Sequence, residues 1–357
     1  MKPKAKKIIA ALTALVLSLS CLFVVQALVT PKYMSGVLEG GMVAEYYDET
    51  TDHDVIFVGD CEVYENFSPI TLWEEYGITS YIRGSAQQLI WQSYYLLEET
   101  FTYESPDVVV FNVLSMKYGQ PQSEAYNRMT LDGMKLTPIK MAAVKASMTE
   151  EETAISYVFP LLRYHSRITQ LTDEDFTYAF RRDKITHNGY LMRVDVEPMT
   201  QLPTPAPLMD YAIDPVCFEY LDKMAALCEE NGAQLILVKS PSLYPHWYAE
   251  WDAQIVEYAN KKGLPYYNYI ETMDDMGIDM STDTYDGGLH LNLWGAEKLS
   301  REFGRMLAED YGVADHRGEP EYDKVWTDKV DFYYNMIEAQ QKELEEYGYL
   351  KSWTLGE

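Results

Sequence analysis

From residue 54 onward the chain alternates short apolar runs with longer stretches whose apolar positions recur every three or four residues. DVIFVG (54–59), the end of WEEYGITSYIRG (73–84), PDVVVFNVL (106–114), AQLILVKSP (233–241) and LPYYNYI (264–270) read as five strands, short and rich in β-branched and aromatic residues. Between them AQQLIWQSYYLLEET (86–100), DPVCFEYLDKMAALCEENG (214–232), residues 247–262 and NLWGAEKLSREFGRMLAEDYG (292–312) carry helical spacing, and Gly232 supplies a helix stop. Strands separated by helices imply an α/β fold, a five-stranded parallel sheet with helices on both faces and right-handed crossovers. Ligands of such sheets bind beyond the carboxyl ends of the strands.

Three segments stand outside the alternation. Ile8 to Val29 is a run of 22 residues without a charge. At about 1.5 Å per residue it reaches roughly 33 Å, enough to cross a bilayer's hydrocarbon. Lys2, Lys4, Lys6 and Lys7 in the leader 1–7 predict a cytoplasmic N-terminus, which places everything after Thr30 outside. A cleaved signal peptide is the rival reading, with Val25 and Ala27 at its cleavage site, although its apolar region would be long. Residues 30–53 read as a stalk before a domain spanning 54–312. Residues 119–206 insert about 90 positions between the third strand and the next helix, a length that signals a subdomain or a functional element. The acidic tail 313–357 holds a helix near 325–347, with Val330, Tyr333, Ile337, Leu344 and Tyr347 at helical spacing, read as packing across the domain, with a partner-binding helix as the alternative.

Charge and cysteines narrow the function. The net charge of −27 falls to −31 without the leader lysines, which argues against nucleic-acid partners and against docking on anionic headgroups. Cys21 reads as a thiol inside the apolar run. Cys217 and Cys228 share one helical stripe about 16 Å apart, too far for a disulfide, so they read as core thiols. Cys61 is left as a free thiol on the oxidising side. The histidines form no HxH or HExxH pair and no pairing with CxxC, so no catalytic metal and no cofactor are expected.

GDCE (59–62) places Cys61 directly after the first strand, and DTYDGGLHLNLWGAEK (283–298) leads into the last domain helix. Asp286, four residues before His290, can hold the imidazole in one tautomer and leave its other nitrogen to take a proton. In these two blocks the chain resembles the SGNH/GDSL hydrolases, whose first block is a strand ending in Gly-Asp-Ser and whose last is Asp-x-x-His before the final helix. Cys61 stands in the serine's place, and DGGLHLN has one residue more between acid and histidine. The likeness is closer to membrane-anchored, extracytoplasmic members in Gram-positive bacteria, akin to the teichoic-acid D-alanylation and alginate O-acetylation proteins. It implies a three-layer SGNH/flavodoxin-like architecture, with Cys61 as nucleophile, His290 as base, Asp286 as its orienting acid, and Gly84 and Asn112 completing an oxyanion hole with the nucleophile's own N–H. Donors of that kind are worth ~3 kcal/mol each to the developing oxyanion. The thiolate would gain from a helix N-terminus and an imidazolium, whereas Asp60 and Glu62 oppose it.

The insert carries Tyr126, Tyr157, Tyr164, Tyr178 and Tyr190, with Tyr118 just before it, and Arg163 and His165 as cations in an acidic chain. They read either as a cap that stacks on sugar rings and meets an anionic polymer, or as amphipathic core and rim residues. The expected activity is acyl transfer or ester hydrolysis on a cell-envelope glycan or glycopolymer through an acyl-enzyme at Cys61. An acyl donor is required, and the resemblance admits a membrane acyltransferase as partner. The rival is an inactive glycan-binding or envelope-assembly protein on the same fold. Either would be a single-pass protein of the cell membrane with an extracytoplasmic domain.

Overall fold

Five parallel strands, β1 (Val55–Gly59), β2 (Ser80–Gly84), β3 (Val108–Asn112), β4 (Gln234–Lys239) and β5 (Tyr266–Asn268), form one sheet in the order β2-β1-β3-β4-β5. The structure is a computed structural model and describes residues 3–31, 41–180, 183–202 and 204–353. Successive side chains of a strand point to opposite faces, and here both faces are covered. Val55, Phe57, Val108, Val110, Ile236 and Val238 enter one apolar core, while Ile56, Val58, Val109, Phe111, Leu235 and Leu237 enter the other. This is why these strands appear in the sequence as unbroken apolar runs.

The helices are, in chain order, α1 (Pro3–Val29), α2 (Met42–Glu45), α3 (Cys61–Tyr64), α4 (Pro69–Tyr76), α5 (Ile90–Thr100), α6 (Glu124–Leu131), α7 (Pro138–Ser147), α8 (Ala154–Val158), α9 (Leu161–Tyr164), α10 (Asp173–Thr177), α11 (Pro215–Asn231), α12 (Ala249–Lys262), α13 (Leu293–Glu309) and α14 (Pro320–Tyr347). Helices α4, α13 and α14 pack on the first core and α5, α11 and α12 on the second. Cys217 and Cys228 lie buried on α11 as free thiols. Helix α1 is long and apolar enough to cross a membrane.

The expected stalk needs correction. Residues 32–40 lie outside the described residues, but from Gly41 the chain is part of the domain. Met42, Val43 and Tyr46 are buried, and Glu45 accepts hydrogen bonds from Ile185 N at 3.0 Å and Thr186 Oγ1 at 2.6 Å. Val43 joins the insert's own small core, whereas Met42 and Tyr46 enter the two main cores, Tyr46 packing edge-on to Tyr81 of β2. The insert itself supplies α6 to α10. Leu131, Val144 and Tyr157 build a third small core with Leu96 of α5. The insert returns as an extended strap, residues 183–202, along the edge of β2, where Ile82 N donates to Asn188 O at 2.9 Å. Gly189 has φ +84°, and a Cβ there would lie 2.0 Å from Ile82 O, so the close approach requires glycine.

Helix α14 closes the structure over this strap. Trp326 stacks on Trp73 with centroids 4.9 Å apart, and Gln340 bridges Val194 N at 3.1 Å and Met192 O at 3.0 Å. Trp326→Ala should therefore cost about 3–5 kcal/mol in a urea unfolding curve of the detergent-solubilised chain. Tyr334→Ala, on an exposed position of the same helix, should change it by less than about 1 kcal/mol.

Candidate active site

The turn after β1 begins with Gly59 at φ +156°, where a Cβ would lie 2.4 Å from Val63 Cγ2. The chain can thus fold back at once into α3, and Asp60 Oδ1 accepts from Glu62 N at 3.2 Å to cap it. Cys61 stands, partly exposed, at the start of this helix and at the carboxyl edge of the sheet. Because α3 is a single turn, the helix-dipole support expected for a thiolate is slight.

The loop before α13 carries the partner groups. Asp286 Oδ1 accepts from the backbone N–H of His290 at 2.9 Å, and Asp286 Oδ2 meets His290 Nδ1 at 2.7 Å. The additional residue between acid and histidine is absorbed in this closed turn. Leu291 N donates to Asn66 Oδ1 at 2.9 Å, tying the loop to the segment that follows Cys61. Two further groups crowd Nδ1: Glu65 Oε2 at 3.3 Å and the Tyr285 hydroxyl at 3.3 Å, whose ring stacks on the imidazole. His290 Nε2 is buried and makes no well-formed hydrogen bond, and the ring is close enough to the Cys61 thiol for each to shift the other's proton affinity.

Electrostatics set a particular resting state. Burial pushes the Cys61 thiol up to about 11; His290 pulls it down, but Asp60 and Glu65 push it further up. Burial disfavours a charge on His290, yet Glu65, Cys61 and Asp286 together raise it well above the ordinary imidazole value. Both groups therefore hold their protons more tightly than a free thiol and a free imidazole do. A thiolate formed well below the free-cysteine value is not what this environment gives. Asp60 is itself raised to about 7, by burial and then by Glu62.

Glu62 does not face the thiol. It is fully buried against Lys239, whose Nζ lies 2.7 and 2.8 Å from its two carboxylate oxygens. Lys239 Nζ also donates to Ser240 O at 2.8 Å and Ser242 Oγ at 2.9 Å, and Ser242 Oγ donates to Glu62 Oε1 at 2.6 Å. Burial lowers the Lys239 pKa and Glu62 opposes that. Nothing in the pattern of the sequence marked this pair, beyond a lysine at the last position of a buried strand.

The remaining expected residues are placed unevenly. Gly84 stands opposite Gly59 in the β1–β2 register, and a Cβ there would come within 3.2 Å of Gly59 O and the Tyr64 ring. Asn112 is at the end of β3, but its amide nitrogen donates to Glu62 Oε2 at 3.0 Å and Ser240 Oγ at 3.3 Å, and its oxygen accepts from Leu114 N at 3.1 Å. Its donors point into the ion-pair network. Arg163 and His165 are not brought to Cys61: Arg163 pairs with Glu124 at 2.9 Å, and the short helix carrying it packs against α1. Tyr157 and Tyr164 bond Glu152 and Asp132 and are framework residues, whereas Tyr118 senses the charges of Asp60 and Cys61 and stands at the mouth. Sequence reasoning missed Glu65, one helical turn after Cys61, which that spacing could have revealed. Beside Tyr118 a cavity of about 410 Å³ is lined by Lys117, Gln120 and Asp214, while one of about 620 Å³ lies at the end of α1.

No family model matches the chain, and no curated protein matches it. Among solved structures it is similar to a Bacteroides fragilis protein described as an acylhydrolase by inference, with 13% identity over 75% of this chain and 94% of that one and a TM-score of 0.37.

Iodoacetamide labelling of Cys61 should accordingly be slow at neutral pH and rise continuously through the alkaline range. Asp60→Asn removes a charge that raises the thiol, so it should speed labelling, with the gain growing above about pH 7 as native Asp60 ionises. A variant that labels no faster than wild type at alkaline pH would show that Asp60 does not hold the thiol. In the buried pair, Lys239→Met should cost about 3–5 kcal/mol of stability by stranding Glu62, and Glu62→Gln with Lys239→Met together should cost much less.

Proposed function

We propose that the protein performs acyl transfer or ester hydrolysis through a thioester at Cys61, on an SGNH-like fold. The observation that carries this reading is Asp286 at 2.7 Å from His290 Nδ1 with the ring beside the Cys61 thiol. In the reactive form the resting pair has lost one proton, leaving thiolate beside imidazolium. Sγ attacks the ester carbonyl carbon, and as the tetrahedral intermediate collapses the C–O bond breaks and the imidazolium protonates the leaving oxygen. An acceptor hydroxyl, or water, then attacks the thioester, giving its proton to His290 and returning the sulfur. The N–H groups at Cys61 and Gly84 are the oxyanion donors of this reading. Asn112 would join them only after releasing Glu62.

The substrate of this reading is an acylated cell-envelope glycan or glycopolymer, with Tyr118 and the exposed Tyr244 as sugar-stacking surfaces at the mouth. Helix α1 anchors the domain on the outer face of the cell membrane. A second reading, a non-catalytic glycan-binding or assembly protein, is favoured by the neutral resting thiol and the committed amide of Asn112.

The two readings separate on a small ester. With p-nitrophenyl acetate, the full-length chain in detergent should give a burst of p-nitrophenol and one acetyl adduct on Cys61, both growing with pH. Cys61→Ala should abolish them, and His290→Ala should cut the burst rate by about 10²-fold or more. No adduct on Cys61 at alkaline pH, with the fold intact by circular dichroism, would replace the enzyme by the binding protein.

A further inference from the structure

Helix α1 does not end in free space. Its last turn is partly covered by the insert, and Arg167 Nη1 donates to Val29 O at 2.8 Å while Arg167 Nη2 pairs with the buried Asp175 Oδ1 at 2.9 Å. An arginine on the last carbonyls of a helix satisfies groups that have no partner within the helix. Arg167 therefore clamps the end of α1 to the start of α10. Helices α9 and α10, and the 3-10 turn that follows α9, pack against α1.

The same elements expose large apolar side chains. Ile155, Phe159, Leu162, Ile168, Phe176 and Phe180 are each between 44% and 66% exposed, in a chain whose other surfaces are strongly acidic. Phe180 stacks on Phe23 with centroids 5.9 Å apart. Phe23 is six residues below Val29 on α1, about 9 Å along the helix axis. If the apolar run of α1 fills the hydrocarbon, a side chain stacked on Phe23 lies inside it as well.

We infer that the part of the insert from Ile155 to Phe180 is a membrane-embedded platform, seated in the outer leaflet beside α1 and continuous with it. The inference rests on α1 being a membrane anchor. The occupant of this apolar face is lipid: the face adjoins the spanning helix, and its ring contact lies at hydrocarbon depth. The charges around it fix how deep it sits, since Asp173 and Glu174 head α10 and Arg163 is paired with Glu124, all of which belong at the level of the headgroups. Burial of apolar surface supplies the attraction, so zwitterionic lipid suffices, and the cavity beside the Phe23–Phe180 contact, walled also by Glu45, Asp48, Asp183 and Lys184, marks the polar boundary of the platform.

The test uses the full-length chain in phosphatidylcholine vesicles, with Cys21→Ala and Cys61→Ser as background. An environment-sensitive fluorophore is placed at Phe176→Cys, at Phe180→Cys and, as control, at Tyr334→Cys on α14. The first two labels should emit at shorter wavelength and be quenched several-fold by doxyl-labelled lipid, while the control is quenched by aqueous iodide. If all three labels respond to iodide alone while the chain resists carbonate extraction, the anchor stands and the platform is refuted. If carbonate extracts the chain, the anchor reading itself fails and the platform falls with it.

Discussion

The site is organised around a buried charge pair, Glu62 with Lys239. Two ions taken out of water are costly unless geometry and additional hydrogen bonds compensate, and here every oxygen of Glu62 and every donor direction of Lys239 finds a partner. The pair joins the turn after β1 to the end of β4, and through Asn112 to the end of β3. It thereby fixes the backbone that carries Cys61 against two neighbouring strands. It also removes Glu62 from the electrostatics that the thiol feels, leaving Asp60 and Glu65 as the acids that oppose a thiolate.

Those acids and Asp286 make the site hold its protons tightly. An imidazole flanked by Glu65 and Asp286 holds its proton more tightly despite burial, and His290 in turn tempers the thiol's rise. The raised values of Cys61 and His290 are two sides of one proton balance, in which the reactive ion pair differs from the resting pair by a single proton. The same logic bears on stability. The folded pKa of His290 lies above its unfolded value, so its contribution is fully present below about pH 6.5 and is lost as pH rises through the folded value. Asp60, raised to about 7, loses stability at lower pH, as pH rises from the ordinary carboxyl range to about 7. Together they put the greater stability on the acid side and the greater reactivity on the alkaline side.

The sheet was legible because its signal is local. Two covered faces force apolar runs in β1, β3 and β4, and the shorter β2 and β5 read as strands from their aromatic and β-branched residues between helical stretches. Cys61, Asp286 and His290 stood out through the resemblance of their two short blocks to a known family's motifs, since an acid and a histidine four apart also read as a capped turn. Lys239 did not, since its partner is 177 residues away and a lysine after a strand resembles any surface cation. The stalk failed for a related reason: Met42, Val43 and Tyr46 are too few to show a period, and the surfaces that cover them belong to three different cores far along the chain. Arg163 and His165 stood out as cations in an acidic chain, but such contrast says nothing about where a helix packs, and they pack beside α1.

The insert also links the apolar helix α1 to the candidate site. It leaves the sheet after β3, reaches the end of α1, and returns as the strap 183–202. On that return Leu191 N donates to Tyr64 O at 2.7 Å, at the end of the helix that begins with Cys61. A few residues later Glu197 N donates to Thr284 O at 3.1 Å and Glu197 O accepts from Gly287 N at 2.9 Å, within the loop that carries Asp286 and His290. One continuous stretch of backbone thus touches the segments bearing both the thiol and the imidazole. Helix α14 holds this strap from outside through Gln340, so its middle is gripped on both sides. The separation of Cys61 from His290 is then set by the strap as well as by the sheet, and a displacement of the insert relative to α1 has a covalent and hydrogen-bonded route to the thiol and the imidazole.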